Sequence, residues 1–372
     1  MKVSVVMGTR PEVIKLSPVI FELKKRGHDV QVVCVLQQKD LAPEAIKVFG
    51  VEVDEYVHIL MDDSQRLNSI LVQTIKGLDN IFDSFLPDVV IVQGDTSTAL
   101  AGAMCAFNMG IPVAHVEAGL RSGNPLSPYP EEMNRILIDE MSTHHYCPTS
   151  FSADNLPTHK PIIVGNTELD AILWAMVNGR RGTSHHRNQI MITMHRRENM
   201  GDGFKNINNA ILRLSKEHPD KEFLIMGHPN HRPAQDVFNK QDNVLLCAPE
   251  AFDYFIDLLR NASLIITDSG GLQEDGAFLH IPVVITRKET ERMEGVISGS
   301  AILAGIEEDN IVDAANKALK KDPIQSLLTE CPYGDGHSSE LIADDLEEHY
   351  VKRITGGNTN EWFTNGDGET NI

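Results

Sequence analysis

The sequence predicts an α/β protein of two doubly wound, Rossmann-like units facing across a cleft. Three observations carry this expectation: short continuous apolar runs of strand length, helical patterns between them, and a restart of the same alternation past the middle of the chain. Runs apolar throughout belong to parallel strands covered by helices on both faces, whereas half-exposed strands alternate.

The first run, residues 3–7, leads into Gly8-Thr9-Arg10 and a helix opening at Pro11. Proline suits that first helical position. Further strands are expected at 30–35, 89–93 and 113–116, with helices between. Residues 183–188, with a His-His pair, read as a polar surface loop. The alternation then resumes with a strand at 190–194, a helix at 206–216 and a strand at 223–226. Strands at 244–247, 264–267 and 283–285 follow, with helices near 254–260, 272–279 and 310–320. The expected division is 1–167 and 168–340, then a helix at 341–354 packing back on the first domain. The Gly-, Asn- and Thr-rich residues 355–372 read as a fraying tail.

A chain of 372 residues can bury two or three cores. Its net charge of −20 opposes a nucleic-acid backbone but not a small nucleotide held by local arginines. No apolar run approaches the roughly 18 residues of a membrane span, so no membrane partner is expected and the cytoplasm is the expected compartment. Five scattered cysteines without a C-x-x-C pair read as reduced thiols.

In open parallel sheets ligands gather at the carboxyl ends of strands. Gly8-Thr9-Arg10, Gly94-Asp95-Thr96 and Glu117-Ala118-Gly119-Leu120-Arg121 stand at three such ends. Asp95 alone is equally a helix N-cap; paired with Glu117 and with Arg10 nearby, it points to a site. Arg10 and Lys15 near a helix N-terminus suit an anion, although Lys15 alone fits an exposed helical face. Gly8-Thr9-Arg10-Pro11-Glu12 stands where G-x-G-x-x-G would, so the first turn offers NAD no cradle. In the second half, Asp268-Ser269-Gly270-Gly271 follows a strand and opens a helix, suiting a diphosphate. Glu274 and Asp275 just beyond suit ribose hydroxyls. His195-Arg196-Arg197-Glu198 suits phosphate or proton transfer, or is a solvated loop. His144-His145 with Cys147 lacks a fourth ligand nearby, so no metal is expected.

Nine segments together resemble the non-hydrolysing UDP-N-acetylglucosamine 2-epimerases. These are Gly8-Thr9-Arg10-Pro11-Glu12-x-Ile14-Lys15, Gly94-Asp95-Thr96, His115 to Arg121, Pro130-Glu131-Glu132-x-Asn134-Arg135 and Gly165-Asn166-Thr167. The others are His195-Arg196-Arg197-Glu198-Asn199, Asp268 to Glu274, Thr290-Glu291-Arg292 and Pro332-Tyr333-Gly334-Asp335-Gly336, all in family order. The resemblance implies a GT-B fold, a homodimer and UDP held between the domains, mainly by the second. It implies cofactor-free interconversion of UDP-N-acetylglucosamine and UDP-N-acetylmannosamine by elimination and re-addition of UDP. Asp95, Glu117, Glu131 and His195 match its catalytic set. Arg10, Lys15, Arg135, Ser269, Gly270, Gly271, Glu274 and Arg292 match its substrate contacts, with Phe255 and Glu250 beside uracil and Asp275 at the ribose.

The chain departs from the pattern in places. Gln37-Gln38-Lys39-Asp40 lacks the family's Gln-His pair, Gln93 replaces a His before Gly94-Asp95, and Met293 replaces a Pro. The first departure implies weak or absent activation by a second substrate molecule. A hydrolysing epimerase, a glycosyltransferase of the same fold and an inactive UDP-sugar sensor remain alternatives. The carboxylates distinguish the epimerase from the last two, and Pro11-Glu12-x-Ile14-Lys15 argues for the non-hydrolysing branch.

Overall fold

The computed structural model describes residues 1–36, 42–60, 67–181, 188–194, 202–227, 235–238, 241–320 and 330–355. The chain divides into two compact units, Met1–Leu173 with Gly334–Ile372, and Trp174–Tyr333.

The first unit runs β1 (Lys2–Met7), α1 (Arg10–Lys25), β2 (Asp29–Leu36), α2 (Ala42–Phe49), β3 (Glu55–His58), α3 (Leu67–Phe85) and β4 (Val89–Gln93). It continues through α4 (Ser97–Asn108), β5 (Val113–Val116), α5 (Glu131–Met141), β6 (His144–Cys147), α6 (Ser150–Ala153), β7 (Ile162–Ile163) and α7 (Thr167–Asn178), within which the second unit begins. The strands form one sheet in the order β3-β2-β1-β4-β5-β6-β7, and every pair is parallel. Val3 and Val5 through Met7 are fully buried, as strands covered on both faces must be. Phe82 and Leu78 of α3 pack with Val6, Val90 and Val92 in one core. Burying a side chain such as Phe82 contributes about 1.5–3 kcal/mol.

The second unit holds β8 (Gln189–Thr193), α8 (Asp202–Glu217), β9 (Glu222–Met226), α9 (Gln235–Phe238), β10 (Val244–Cys247), α10 (Phe252–Arg260) and β11 (Ala262–Thr267). After these come α11 (Gly271–Phe278), β12 (Val283–Ile285), α12 (Met293–Ser298), β13 (Ala301–Leu303) and α13 (Glu308–Leu319). The sheet order is β10-β9-β8-β11-β12-β13, again all parallel. Phe223, Ile225, Leu214 and Ile311 pack in its core.

Both sheets follow the doubly wound 3-2-1-4-5-6 pattern, which places a switch point between β1 and β4 and another between β8 and β11. Three strands, β3, β7 and β13, escaped the sequence pattern, while the short strand read at His144 to Cys147 is β6. β3 is a polar edge strand, β7 has two residues, β13 has three, and β6 reads His-His-Tyr-Cys yet is buried throughout. The loop expected at 183–188 lies outside the described residues except for Asn188.

The last helix, α14 (Ser338–Ile354), belongs to the first unit. The amides of Ser338 and Ser339 donate to the buried carboxylate of Asp170 at 3.2 and 2.8 Å. Arg26 at the end of α1 pairs with Asp344 and Glu347 at 2.6 and 3.0 Å, and His28 lies 2.9 Å from Glu347. Among the described residues no helix is long and apolar enough to cross a membrane.

Candidate active site

The turns after β1 and β4 adjoin at the first switch point, and a residue the sequence reading left without a role binds them together. Glu12 is buried and accepts from the amides of Gly8 and Thr9 at 2.9 and 2.6 Å and from Thr96 Oγ1 at 2.6 Å. Burial raises its pKa, against the opposing pull of those bonds. Gly8 is required here, because a Cβ would stand 2.8 Å from Thr98 Oγ1 and 3.0 Å from the Val35 carbonyl. Arg10 opens α1 beside this turn, half-buried.

Asp95 and Glu117 emerge from neighbouring strand ends. Asp95 Oδ2 pairs with the guanidinium of Arg135, whose Nη1 lies 3.3 Å from Glu132. Burial raises the pKa of Asp95; Arg135 opposes, and the charges of Glu117 and Glu131 push it further up. Three carboxylates therefore share one electrostatic neighbourhood. Glu117 Oε2 accepts from the ammonium of Lys15 and, at 2.8 Å, from Gln93 Nε2. Lys15 also lies 3.7 Å from Glu168, so it is largely buried between two acids rather than on an exposed helical face. Gln93 stands where the family pattern has a His, and here its amide reaches the Glu117 carboxylate. Glu117 holds a left-handed backbone, φ 70°, uncommon outside glycine and concentrated at functional sites. Glu131 opens α5, and its Oε2 is buried without a hydrogen-bond partner among the described residues.

Beneath this group lies a second layer that the sequence did not disclose. His115 is fully buried, with Nε2 2.8 Å from the Gly94 carbonyl and Nδ1 2.6 Å from Asp139. Asp139 also accepts from Arg121 at 2.7 Å and from the Gly119 amide at 3.3 Å. Burial alone would raise Asp139, yet His115 and Arg121 hold it down at about 2. Glu132 accepts from the amides of Ser122 and Gly123 at 2.9 Å, tying that segment to α5. The only signal for Asp139 was a polar His within an otherwise apolar strand.

In the second unit the amide of Ser269 donates to Thr267 Oγ1 at 2.9 Å, shaping the turn after β11. No side chain caps α11, which begins at Gly271, and the Gln273 amide in its first turn donates to the Gly270 carbonyl at 3.1 Å. Gly270 permits a close approach: its Cβ would lie 3.1 Å from the Arg292 guanidinium carbon. Arg292 is held by Glu274 at 2.7 Å and Glu291 at 2.8 Å. Glu274, which the sequence suggested for a ribose, accepts here from the Arg292 guanidinium. For Glu291, burial would raise the pKa, but Arg292 and Arg287 bring it down to about 2. Asp275 is buried on α11; Phe255, on α10, and Glu250, just before that helix, are half-buried. A diphosphate would find amides and a pre-set guanidinium here. His195 and residues 196–199 lie outside the described residues.

A family profile described as UDP-N-acetylglucosamine 2-epimerase matches residues 22–347. The chain is 37% identical over 369 residues to the UDP-N-acetylglucosamine 2-epimerase of Neisseria meningitidis, covering 93% of this chain and 99% of that one. It is similar to the crystal structure of the Neisseria meningitidis enzyme bound to UDP-GlcNAc, with a TM-score of 0.84, 36% identity and coverage of 94% and 100%. The Methanocaldococcus jannaschii epimerase in complex with UDP-GlcNAc and UDP gives a TM-score of 0.77 at 30% identity, with coverage of 94% and 100%.

Proposed function

Because the chain belongs to the UDP-N-acetylglucosamine 2-epimerase family, we propose that it reversibly interconverts UDP-N-acetylglucosamine and UDP-N-acetylmannosamine by eliminating and re-adding UDP. The observation that carries this reading is the cluster of Asp95, Glu117 and Glu131 at the first switch point, each carboxylate in a different setting.

The chemistry asks for that arrangement. The C2 proton of the sugar is not acidic until the C1–O bond to UDP begins to break and positive charge grows at C1. Departure of UDP needs its phosphate oxygens stabilised, the role we assign to Arg10, Arg292 and the Ser269-Gly270-Gly271 turn. A carboxylate then takes the C2 proton, leaving a 2-acetamidoglucal and UDP. Protonation of C2 on the opposite face and return of UDP to C1 give the epimer. Delivery to the other face calls for separate acid and base groups. Asp95, held toward its neutral form, suits the acid, and Glu117, beside the Lys15 ammonium, suits the base. Glu131 supports them, and His195 belongs to the same set by its motif. Arg135 fixes Asp95, while Phe255, Glu250 and Asp275 are assigned to uracil and ribose. No nicotinamide or metal takes part in this scheme, and it operates in a cytoplasmic homodimer.

A proton NMR time course with UDP-N-acetylglucosamine in heavy water tests the proposal. The expected product is UDP-N-acetylmannosamine carrying deuterium at C2. Free N-acetylmannosamine would favour a hydrolysing enzyme, and unchanged substrate would remove the proposal.

A further inference from the structure

His144 opens β6, and in the sequence it stood beside His145 and Cys147 one ligand short of a metal site. The fold supplies ligands from 200 residues away. Asp345 and His349 lie one turn apart on α14, on the same helical face, and both reach the amino end of β6. His144 Nδ1 is 2.9 Å from Asp345 Oδ2, and His349 Nδ1 is 3.1 Å from Asp345 Oδ1. Ligand atoms from all three residues lie within 4.8 Å of one another. The two imidazoles meet edge to face, their centroids 4.9 Å apart.

We propose that His144, Asp345 and His349 form a three-ligand zinc site that staples α14 to the first sheet, with water as the fourth ligand. In a tetrahedral shell with bonds of about 2.0–2.1 Å, ligand atoms stand about 3.3 Å apart; the 2.9 and 3.1 Å separations from Asp345 approach that value, and the set, within 4.8 Å, closes on the ion by small side-chain rotations. Two imidazoles and a carboxylate match zinc, whereas magnesium and calcium favour all-oxygen sets. The carboxylate is already oriented, because Tyr146, fully buried, donates its hydroxyl to Asp345 Oδ2 at 2.8 Å. Such an outer partner accompanies metal ligands as a rule. His144 is buried, while the His349 side chain is 41% exposed, so the fourth position has access to solvent water. Zinc binds the Nδ1 lone pair of each ring: a neutral ring carries its single proton at Nε2, a protonated ring releases its Nδ1 proton to solvent, and His349 gives up its 2.9 Å contact with the Asp345 carbonyl.

The site is remote from the chemistry described above. In a parallel sheet the amino end of β6 lies on the edge opposite the carboxyl ends that bear Asp95 and Glu117. Zinc here fastens a helix and leaves the reaction to the carboxylates.

The test uses the full-length protein, stripped with chelator and titrated with zinc chloride by calorimetry, then with cobalt(II) by visible spectroscopy. Wild type should take up one zinc more per chain than His349→Gln and show the absorption bands of tetrahedral cobalt. His349→Gln, at a half-exposed position, should fold normally and lose affinity by more than the roughly 10–100-fold that removal of an outer partner costs. Tyr146→Phe should lose about 10–100-fold. His28→Gln removes a different tether of the same helix, 2.9 Å from Glu347, and should leave zinc affinity unchanged. Equal uptake by wild type and His349→Gln, or uptake by neither, overturns the proposal. A loss in His28→Gln as large as in His349→Gln does so too, since loosening of the helix would then explain both.

Discussion

Replacing Asp139 by Asn isolates the buried layer that carries the carboxylate turns. The Asp139 side chain has no exposure and faces His115 Nδ1 at 2.6 Å, Arg121 at 2.7 Å and the Gly119 amide at 3.3 Å. Its pKa of about 2 lies roughly two units below an ordinary aspartate, which corresponds to about 2–3 kcal/mol favouring the charged native form. A carboxyl depressed in this way contributes stability that is complete above the unfolded value. The contribution is lost as pH falls through the native one. Asn preserves shape and one acceptor but removes the charge and turns an amide toward a donor. The variant should therefore lose about 2–3 kcal/mol at neutral pH, and the gap should shrink by about half near pH 3, where the unfolded aspartate is largely protonated. Urea unfolding at the two pH values, with hydrogen exchange of the β4 and β5 amides reporting the first unit, measures the difference. A gap of equal size at both pH values would show that packing rather than charge explains the loss. A gap below about 0.5 kcal/mol, the scale of an ordinary surface change, would refute the buried layer's importance.

Further outcomes follow from the same geometry. Asp95→Asn and Glu117→Gln should keep UDP affinity and lose turnover by about a hundredfold or more, as for a missing acid or base; near-normal rates in both would end that assignment. Gly270→Ala should push the Arg292 guanidinium aside from its 3.1 Å approach, weakening UDP by about tenfold, the scale of one charge-assisted hydrogen bond. Calorimetric titration with UDP checks this, and unchanged affinity would mean that Arg292 does not hold the phosphates. Gly119→Ala places a Cβ against the Ser152 carbonyl at a residue with φ +78°, so the melting temperature should drop, on the order of 1–3 kcal/mol of strain. With UDP-N-acetylmannosamine as sole substrate, the progress curve should start without a lag, because Gln37-Gln38 replaces the Gln-His pair. A lag abolished by trace UDP-N-acetylglucosamine would show the activating site intact.

Much of the architecture was written locally. Strands at 89–93, 113–116, 244–247 and 283–285 were read to the residue, because each is a short, mostly apolar run of strand length, whether covered on both faces as β4, β5 and β12 are or at a sheet edge as β10 is. The turns bearing Arg10, Asp95, Glu117 and Ser269 were legible for a related reason. Polar residues and glycines that interrupt an apolar run mark its end, and in a parallel sheet those ends gather ligands. A polar edge strand such as β3 was not legible, since half-exposed polar residues carry no apolar signature.

Only tertiary structure decided which distant residues meet. Nothing in the spacing joins Glu12 to Thr96, Lys15 and Gln93 to Glu117, or His115 to Asp139, and the charge environment of Asp95 depends on Arg135 forty positions away. The same holds for His144, which local sequence left without a ligand set until α14 brought Asp345 and His349 beside it. Secondary structure follows from patterns within a few turns of chain, whereas hydrogen bonds and charge pairs act over a few ångströms of space. Their partners are chosen by strand order, and strand order is a property of the folded sheet.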